Sequence, residues 1–148
     1  MKKNVLSRFQ ICALLGLLAG LIELPTAFAA VAVWSGASGT DTNWSTGGNW
    51  IGGTGTAGVP GSTDDVIFGN TGAATSITSI SNVLDGTGGN FAGTLFSLAY
   101  TNAVTGTYQN TLIAPGTTLN LTNNTGPFGT ALFVGTPTAA AANASIVA

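Results

Sequence analysis

Positively charged side chains are almost absent from this 148-residue sequence, which contains three Lys and Arg residues and no His. All three, Lys2, Lys3 and Arg8, lie near the N-terminus. Beyond residue 29 the chain has no side-chain cation, so it cannot neutralise the phosphates of a nucleic acid. Sequence-independent binding of DNA or RNA is therefore excluded for this part of the chain.

Side chains that usually carry catalysis are also scarce. The single cysteine, Cys12, and the only glutamate, Glu23, both precede residue 30. Most general-base, nucleophilic and Cys/His metal chemistry needs residue types that the remainder lacks. We therefore predict that the chain is not an enzyme and binds no metal or small-molecule cofactor. The ionisable side chains beyond residue 29 are four aspartates and two tyrosines: Asp41, Asp64, Asp65, Asp85, Tyr100 and Tyr108.

Residues 1–29 have the three parts of a secretory signal peptide. Lys2 to Arg8 is a basic region, residues 11–22 are an uncharged apolar core, and residues 27–29 (Ala-Phe-Ala) place small side chains before the cleavage point. A membrane-spanning helix needs about 20 apolar residues, more than this run provides. We predict a signal-peptide helix, cleavage after Ala29 and export of the remainder.

The remainder, residues 30–148, has the length of one domain and the composition of a β protein. Thr, Gly, Asn and Ser separate short clusters of apolar residues, and helical periodicity is missing. Alternation and turn signals predict strands over 31–34, 66–68, 94–100, 107–113, 117–121, 131–134 and 146–147.

Many short strands are compatible with a β-sandwich, a barrel or a solenoid. Asn and Gly punctuate the strands after Leu95, and stacked coils place such residues above one another, where Asn and Thr ladders satisfy their polar groups. This pattern favours an all-β solenoid, with a β-sandwich as the alternative.

Five short motifs carry a family resemblance: Trp34-Ser35-Gly36, Asp41 to Ser45, Gly48-Asn49-Trp50, Val59-Pro60-Gly61 and Asp64 to Phe68. The series resembles the N-terminal region of the autotransporter-associated β-strand repeat proteins, which are large exported bacterial proteins. Residues 109–119 and 132–135 are similar to the first coils of the same proteins. The resemblance implies a right-handed parallel β-helix with a surface or extracellular role, and it implies no catalytic residues.

This interpretation divides residues 30–148 into an N-terminal cap over about 30–68 and first coils over about 69–148. With about 20–25 residues a coil, five coils would form a rod roughly 24 Å long. We expect the polypeptide to continue past Ala148 with further coils, and we expect the isolated piece to self-associate or to be marginally stable. Expected partners are those downstream repeats, cell-surface glycans or other envelope proteins.

Two aspartate motifs are candidate calcium sites. Asp64 and Asp65 are the only adjacent carboxylates, and Asp41 to Ser45 has oxygen-bearing side chains at alternate positions. Calcium needs six to eight oxygen ligands, and neither motif supplies the spacing of a calcium loop. We therefore predict structural turns, with the Asp side chains bound to nearby backbone amides.

The glycines from Gly53 to Gly58 match the pattern GxGxxG of dinucleotide-binding proteins. No predicted helix follows them and no acidic residue lies about 20 residues further on, so a dinucleotide site is not predicted. The segment also begins like a calcium-binding glycine-rich repeat, but Ala57 occupies the position of its aspartate.

Three tryptophans, Trp34, Trp44 and Trp50, lie in a segment that is otherwise made of small residues. They are either a platform for sugar rings or the hydrophobic core of an end cap, and the second interpretation is favoured. We therefore predict an exported structural or adhesin-like solenoid at the cell surface, the outer membrane or outside the cell. The alternatives are a carbohydrate-binding module that uses these tryptophans and a polysaccharide-active β-helix enzyme.

Overall fold

The computed structural model describes residues 29–86, 90–122, 129–135 and 144–147, and for residues 144 and 145 it describes the backbone alone. These parts contain ten β-strands, two single-turn 3-10 segments (Gly47–Asn49 and Thr56–Gly58) and no α-helix. The predicted signal-peptide helix lies outside the described residues. The strands are β1 (Val31–Trp34), β2 (Trp50–Ile51), β3 (Asp65–Phe68), β4 (Asn82–Leu84), β5 (Thr94–Leu95), β6 (Ser97–Tyr100), β7 (Gln109–Ile113), β8 (Asn120–Leu121), β9 (Leu132–Val134) and β10 (Ala144–Val147).

The strands stack in parallel to form a β-solenoid of about three turns, which confirms the predicted fold class. The largest sheet has the order β2-β1-β3-β6-β9, the second has the order β10-β7-β4, and β5 pairs with β8. Every pair of strands is parallel except β1–β2. From β3 onward, consecutive strands of the described chain lie in different sheets and each sheet is revisited one turn later, as in a solenoid.

The solenoid has about three turns, fewer than the five coils predicted from the sequence, and each turn is longer than predicted. On the largest sheet Val31 is in register with Asp65, and Asp65 with Ser97, so one turn takes 32–34 residues there. The estimate of about 20–25 residues was wrong because long segments without strands, such as 69–81 and 101–108, add to each turn.

The strand predictions also need correction at Phe96. Residues 94–100 do not form one strand, because the chain bends at Phe96 and continues from β5 into β6 in a different sheet. The predicted strand over 117–121 is reduced to its last two residues in β8. Two strands, β2 and β4, were missed.

The segment predicted as a cap, residues 30–68, begins and ends with strands of the main sheet, β1 and β3. Between them the chain returns as β2, which pairs antiparallel with the outer edge of β1, Trp34 opposite Trp50. Alternation in β1 buries Ala32 and Trp34 and leaves Val31 exposed, so the even positions face the interior.

Candidate functional site

A stack of aromatic side chains runs through the interior of the solenoid. Trp34 lies two residues beyond Ala32, which is in register with Val66, and Phe68 is the register partner of Tyr100. The ring centroids of Trp34 and Phe68 are 5.5 Å apart, and those of Phe68 and Tyr100 are 5.1 Å apart in a stacked arrangement. One inward position per turn therefore builds a continuous aromatic column that joins successive turns.

The other two tryptophans pack beside this column. Trp44 makes an edge contact with Trp50 at 5.6 Å, and the indole N–H of Trp50 donates to the backbone carbonyl of Trp44 at 2.8 Å. Trp34 and Trp44 have no exposed surface, and Trp50 is 7% exposed. A sugar platform needs an open indole face, so this arrangement favours the core interpretation over the carbohydrate-binding alternative.

A buried chain of polar groups connects the turns on a second face. Asn82 and Thr111 are register partners in β4 and β7, and the Thr111 hydroxyl donates to Asn82 Oδ1 at 2.6 Å. The indole N–H of Trp44 donates to the same oxygen at 2.8 Å. Tyr100 Oη lies 2.6 Å from Thr111 Oγ1, whose proton is already used, so the tyrosine is the donor. We call these four residues the polar ladder.

Burial raises the pKa of the Tyr100 hydroxyl well above its ordinary value, and the hydrogen bond to Thr111 partly opposes this effect. The hydroxyl therefore stays protonated and remains a donor over the physiological pH range. This fixes the direction of the polar ladder, in which protons point from Tyr100 and Trp44 towards the amide oxygen of Asn82.

Two further side chains of β7 hold the segment that precedes β4. The Gln109 side-chain amide donates to the carbonyls of Gly69 and Thr71, both at 2.9 Å. Asn110 donates in the same way to the carbonyls of Ile77 and Ser79, both at 2.9 Å. Buried amides of β7 thus bind carbonyls of the loop 69–79 and hold it against the solenoid.

The GxGxxG segment binds a carboxylate of its own chain. Asp64 is fully buried, and its Oδ2 accepts hydrogen bonds from the backbone N–H groups of Thr54 at 2.8 Å and Gly61 at 2.9 Å. Its Oδ1 accepts from the Thr54 hydroxyl at 2.6 Å. Asp64 therefore occupies amides that could otherwise attract a phosphate, and it closes the loop 54–61.

The other three aspartates also accept hydrogen bonds from their own chain. Asp65 accepts from the Ser97 hydroxyl of the next turn, and Asp85 accepts from the hydroxyl and the backbone N–H of Ser45. Asp64, which precedes β3, and Asp65, its first residue, therefore bind different partners.

The exposed Asp41 lies in the second candidate calcium motif. The backbone N–H of Asn43 donates to its Oδ1 at 2.9 Å, and the hydroxyl of Thr46 donates to its Oδ2 at 3.0 Å. These bonds, that of the Asn43 amide above all, lower the pKa of the Asp41 carboxyl. In the described part of the chain, no three acidic, His or Cys side chains come together as a group that could hold a metal ion.

The two ends of the described solenoid differ in their exposure. At the C-terminal end the inward positions Leu132 and Val134 of β9 are 45% and 53% exposed. Ile146 and Val147 of β10 are also exposed. At the N-terminal end β2 pairs with Val33 and Trp34 of β1, and Val31 and Ile51 are exposed apolar side chains there.

The sequence identified the tryptophans and aspartates as candidate functional residues, but it did not reveal the polar ladder. Asn82 and Thr111 are 29 residues apart, whereas partners on the main sheet are 32–34 apart, so no fixed repeat marks them. The available signal was the cluster of amide and hydroxyl side chains next to apolar residues in 81–84 and 109–113.

No helix in the described parts of the chain is long and apolar enough to cross a membrane. No family model, no curated protein and no solved structure matches this chain.

Proposed function

We propose that the chain is an exported, non-catalytic β-solenoid that serves as a structural or adhesin-like segment at a bacterial cell surface or outside the cell. The proposal rests on what the carboxylates and indoles of the chain contact. Each aspartate beyond residue 29 accepts hydrogen bonds from the chain itself, and the three indoles are buried. These groups stabilise turns and stacking, which is the work expected of a scaffold.

The proposed role depends on the stiffness of the stacked turns. Parallel backbone ladders, the aromatic column and the polar ladder join each turn to the next, so a local opening must break several contacts at once. Such a stack resists bending and proteolysis better than a chain of loops does. The rod then holds its outward side chains, and whatever follows it in the polypeptide, at a fixed distance from the envelope.

The family resemblance supports the same proposal from the sequence side. The motifs that resemble those of autotransporter-associated β-strand repeat proteins include Trp34 to Gly36, Asp41 to Ser45 and Asp64 to Phe68, and a β-solenoid is the fold class that the resemblance implies. Within this proposal the partners are downstream coils of the polypeptide and cell-surface glycans or other envelope proteins.

Export is tested by expressing the full chain in a Gram-negative host and fractionating the cells. We expect the protein outside the cytoplasm with Ala30 as its first residue, determined by mass spectrometry. Leu15→Arg, which places a charge in the apolar core of residues 11–22, should retain the chain in the cytoplasm with its N-terminus intact. A wild-type chain that stays cytoplasmic and uncleaved would contradict the proposal.

The non-catalytic role is tested with polysaccharides and oligosaccharides. We expect no turnover, and we expect tryptophan fluorescence to remain unchanged because all three indoles are buried. Two results would refute this role. One is saturable fluorescence quenching by a glycan, which indicates a lectin, and the other is turnover that is abolished by Asp65→Asn, which indicates an enzyme.

A further inference from the structure

The predicted cleavage point lies directly at the start of the folded solenoid. Cleavage after Ala29 would make Ala30 the first residue, and β1 begins at the next residue, Val31. Ala29 and Ala30 are both half-buried. The bond between them is therefore separated from the main sheet by a single residue, with no linker on its C-terminal side.

Two neighbouring segments contact the backbone that follows this bond. The carbonyl of Ala30 accepts a hydrogen bond from the N–H of Asp65 at 2.8 Å, and Val31 is the register partner of Asp65 in β3. The carbonyl of Val31 packs against Gly52, where an added Cβ would lie only 2.5 Å from that oxygen. The first two residues after the cleavage point are therefore held by β3 on one side and by Gly52 on the other.

Access of a protease to this bond would open the core. A protease that binds its substrate as an extended strand uses the backbone groups that β3 already occupies. Ala32 and Trp34 have no exposed surface, and the rings of Trp34 and Phe68 are 5.5 Å apart. Drawing residues 30–34 into a protease cleft would break the β1–β3 ladder and remove the first ring of the aromatic column. Cleavage of the folded chain therefore requires local unfolding.

The contact that holds Ala30 forms only after a long stretch of chain has followed it. β2 comes first along the chain, but it pairs with Val33 and Trp34 and not with Ala30. Asp65, which donates to the Ala30 carbonyl, lies 35 residues beyond it in the sequence. Until Asp65 has crossed the membrane, the Ala30 carbonyl lacks the partner that holds it in the folded chain.

We propose that cleavage after Ala29 competes with closure of the first turn, so that the bond has to be cut before β3 pairs with β1. This inference rests on the proposed export and adds an order of events to it. A chain that is cut first begins at Ala30 and then folds. A chain that folds first resists cleavage and keeps residues 1–29, including the apolar run of residues 11–22.

The first experiment varies the order in which folding and the protease act. The full precursor is unfolded in urea and diluted into detergent micelles. Bacterial signal peptidase is present either from the moment of dilution or only after tryptophan fluorescence shows that folding is complete. We expect cleavage after Ala29 in the first order, and cleavage at least about tenfold slower in the second. Equal rates in the two orders would overturn the proposal.

Two insertion variants test whether β1 causes the protection. A Gly-Ser spacer of about six residues between Ala30 and Val31 moves the bond away from the sheet, so this variant should be cut equally fast in both orders. The same spacer between Thr105 and Gly106, in an exposed turn, is the matched control and should keep the wild-type difference. Protection of the first variant, or loss of protection in the control, would refute the role of β1. If neither the wild type nor the first variant is cut in either order, the predicted cleavage site is wrong and the proposed export fails with it.

The second experiment makes the same comparison in cells. In a Gram-negative host with signal peptidase under an inducible promoter, precursor accumulates while the enzyme is depleted and is followed after induction. We expect the accumulated wild-type precursor to persist at least about tenfold longer than the precursor with the spacer after Ala30, whereas newly made chains of both should be cut at the same rate. Equal processing of the two accumulated precursors would contradict the proposed competition.

Discussion

The hydroxyl of Thr111 donates to Oδ1 of Asn82 at 2.6 Å, and the two residues are partners in adjacent turns of one parallel ladder. The contact joins β4 to β7 through side chains as well as backbone. Because the same oxygen accepts from the indole of Trp44, one amide of the middle turn holds donors from two different segments. Asn82 is therefore the residue on which the polar ladder depends.

Asn82→Leu should lower the free energy of unfolding by about 1–3 kcal/mol for each buried donor that it leaves unpaired. Those donors are the Trp44 indole and the Thr111 hydroxyl. Urea denaturation followed by tryptophan fluorescence measures the loss. Asn120→Leu in β8 is the matched control because Asn120 is exposed, and it should change stability by less than about 0.5 kcal/mol. Equal stability of the two variants would contradict a role for the ladder.

Trp34→Ala should destabilise the fold by about 3–5 kcal/mol, because it removes a buried ring at the first position of the aromatic column. The near-ultraviolet circular dichroism of the remaining aromatic residues should weaken as well. Ile51→Ala, which truncates an exposed side chain nearby, should leave the melting temperature almost unchanged. A Trp34→Ala protein with the wild-type melting curve would show that the indole is not part of the core.

Gly72→Ala should cost more stability than Gly106→Ala, although both glycines have positive φ, +67° and +80°. A Cβ at Gly72 would lie 2.7 Å from Trp34 Nε1 and 2.9 Å from the Ser35 carbonyl, whereas Gly106 has open space around it. Both variants should lose about 1–2 kcal/mol of stability through backbone strain. The difference between them therefore measures the steric clash of the added Cβ at Gly72. Thermal unfolding of both variants checks this, and identical losses would argue against close packing at Gly72.

Asp64→Ala and Asp64→Asn should have different effects on the loop that Asp64 closes. Alanine leaves the N–H groups of Thr54 and Gly61 without an acceptor, so their hydrogen exchange should accelerate. Asparagine can present Oδ1 to both amides while the Thr54 hydroxyl turns to accept from Nδ2, so protection should be largely retained. If both variants lost protection equally, the negative charge itself would be required.

Acid should loosen the segment around Asp41. The pKa of this carboxyl is lowered in the folded state, chiefly by the Asn43 amide, relative to about 3.9 in an unfolded chain. Its contribution to stability is therefore complete above pH 4 and is lost as the pH falls through the folded pKa. We expect an NMR titration midpoint below 3.9 for Asp41. In Asp41→Asn the urea midpoint should fall less between pH 5 and pH 3 than in the wild type.

The strands that could be predicted from sequence are those in which alternation coincides with burial. In β1 and β3 every second residue enters the core, so a period of two is visible. Residues 94–100 were misinterpreted because the apolar run through Leu95, Phe96 and Leu98 has no Gly or Pro at the corner. β2 could not be found, since two residues become a strand only by pairing with β1.

The sequence predicted which residue types form the candidate site, but it did not predict which of these residues contact one another. The burial of the tryptophans followed from the small residues around them, and the local bonding of Asp64 followed from the turn that precedes β3. The partners of Asn82 could not be derived, because they depend on how long each turn is. Turns of unequal length hide the repeat that would have aligned Asn82 with Thr111.

The aromatic column has its largest ring, Trp34, in the first turn, continues with Phe68 and Tyr100, and gives way to the half-exposed Val134 in the turn of β9. Under a pulling force we therefore expect the described turns to separate in order, the turn of β9 first and the turn of Trp34 last. Each released turn of 32–34 residues would lengthen the chain by about 110 Å. For a protein anchored at the other end of its polypeptide, such steps would absorb load one turn at a time.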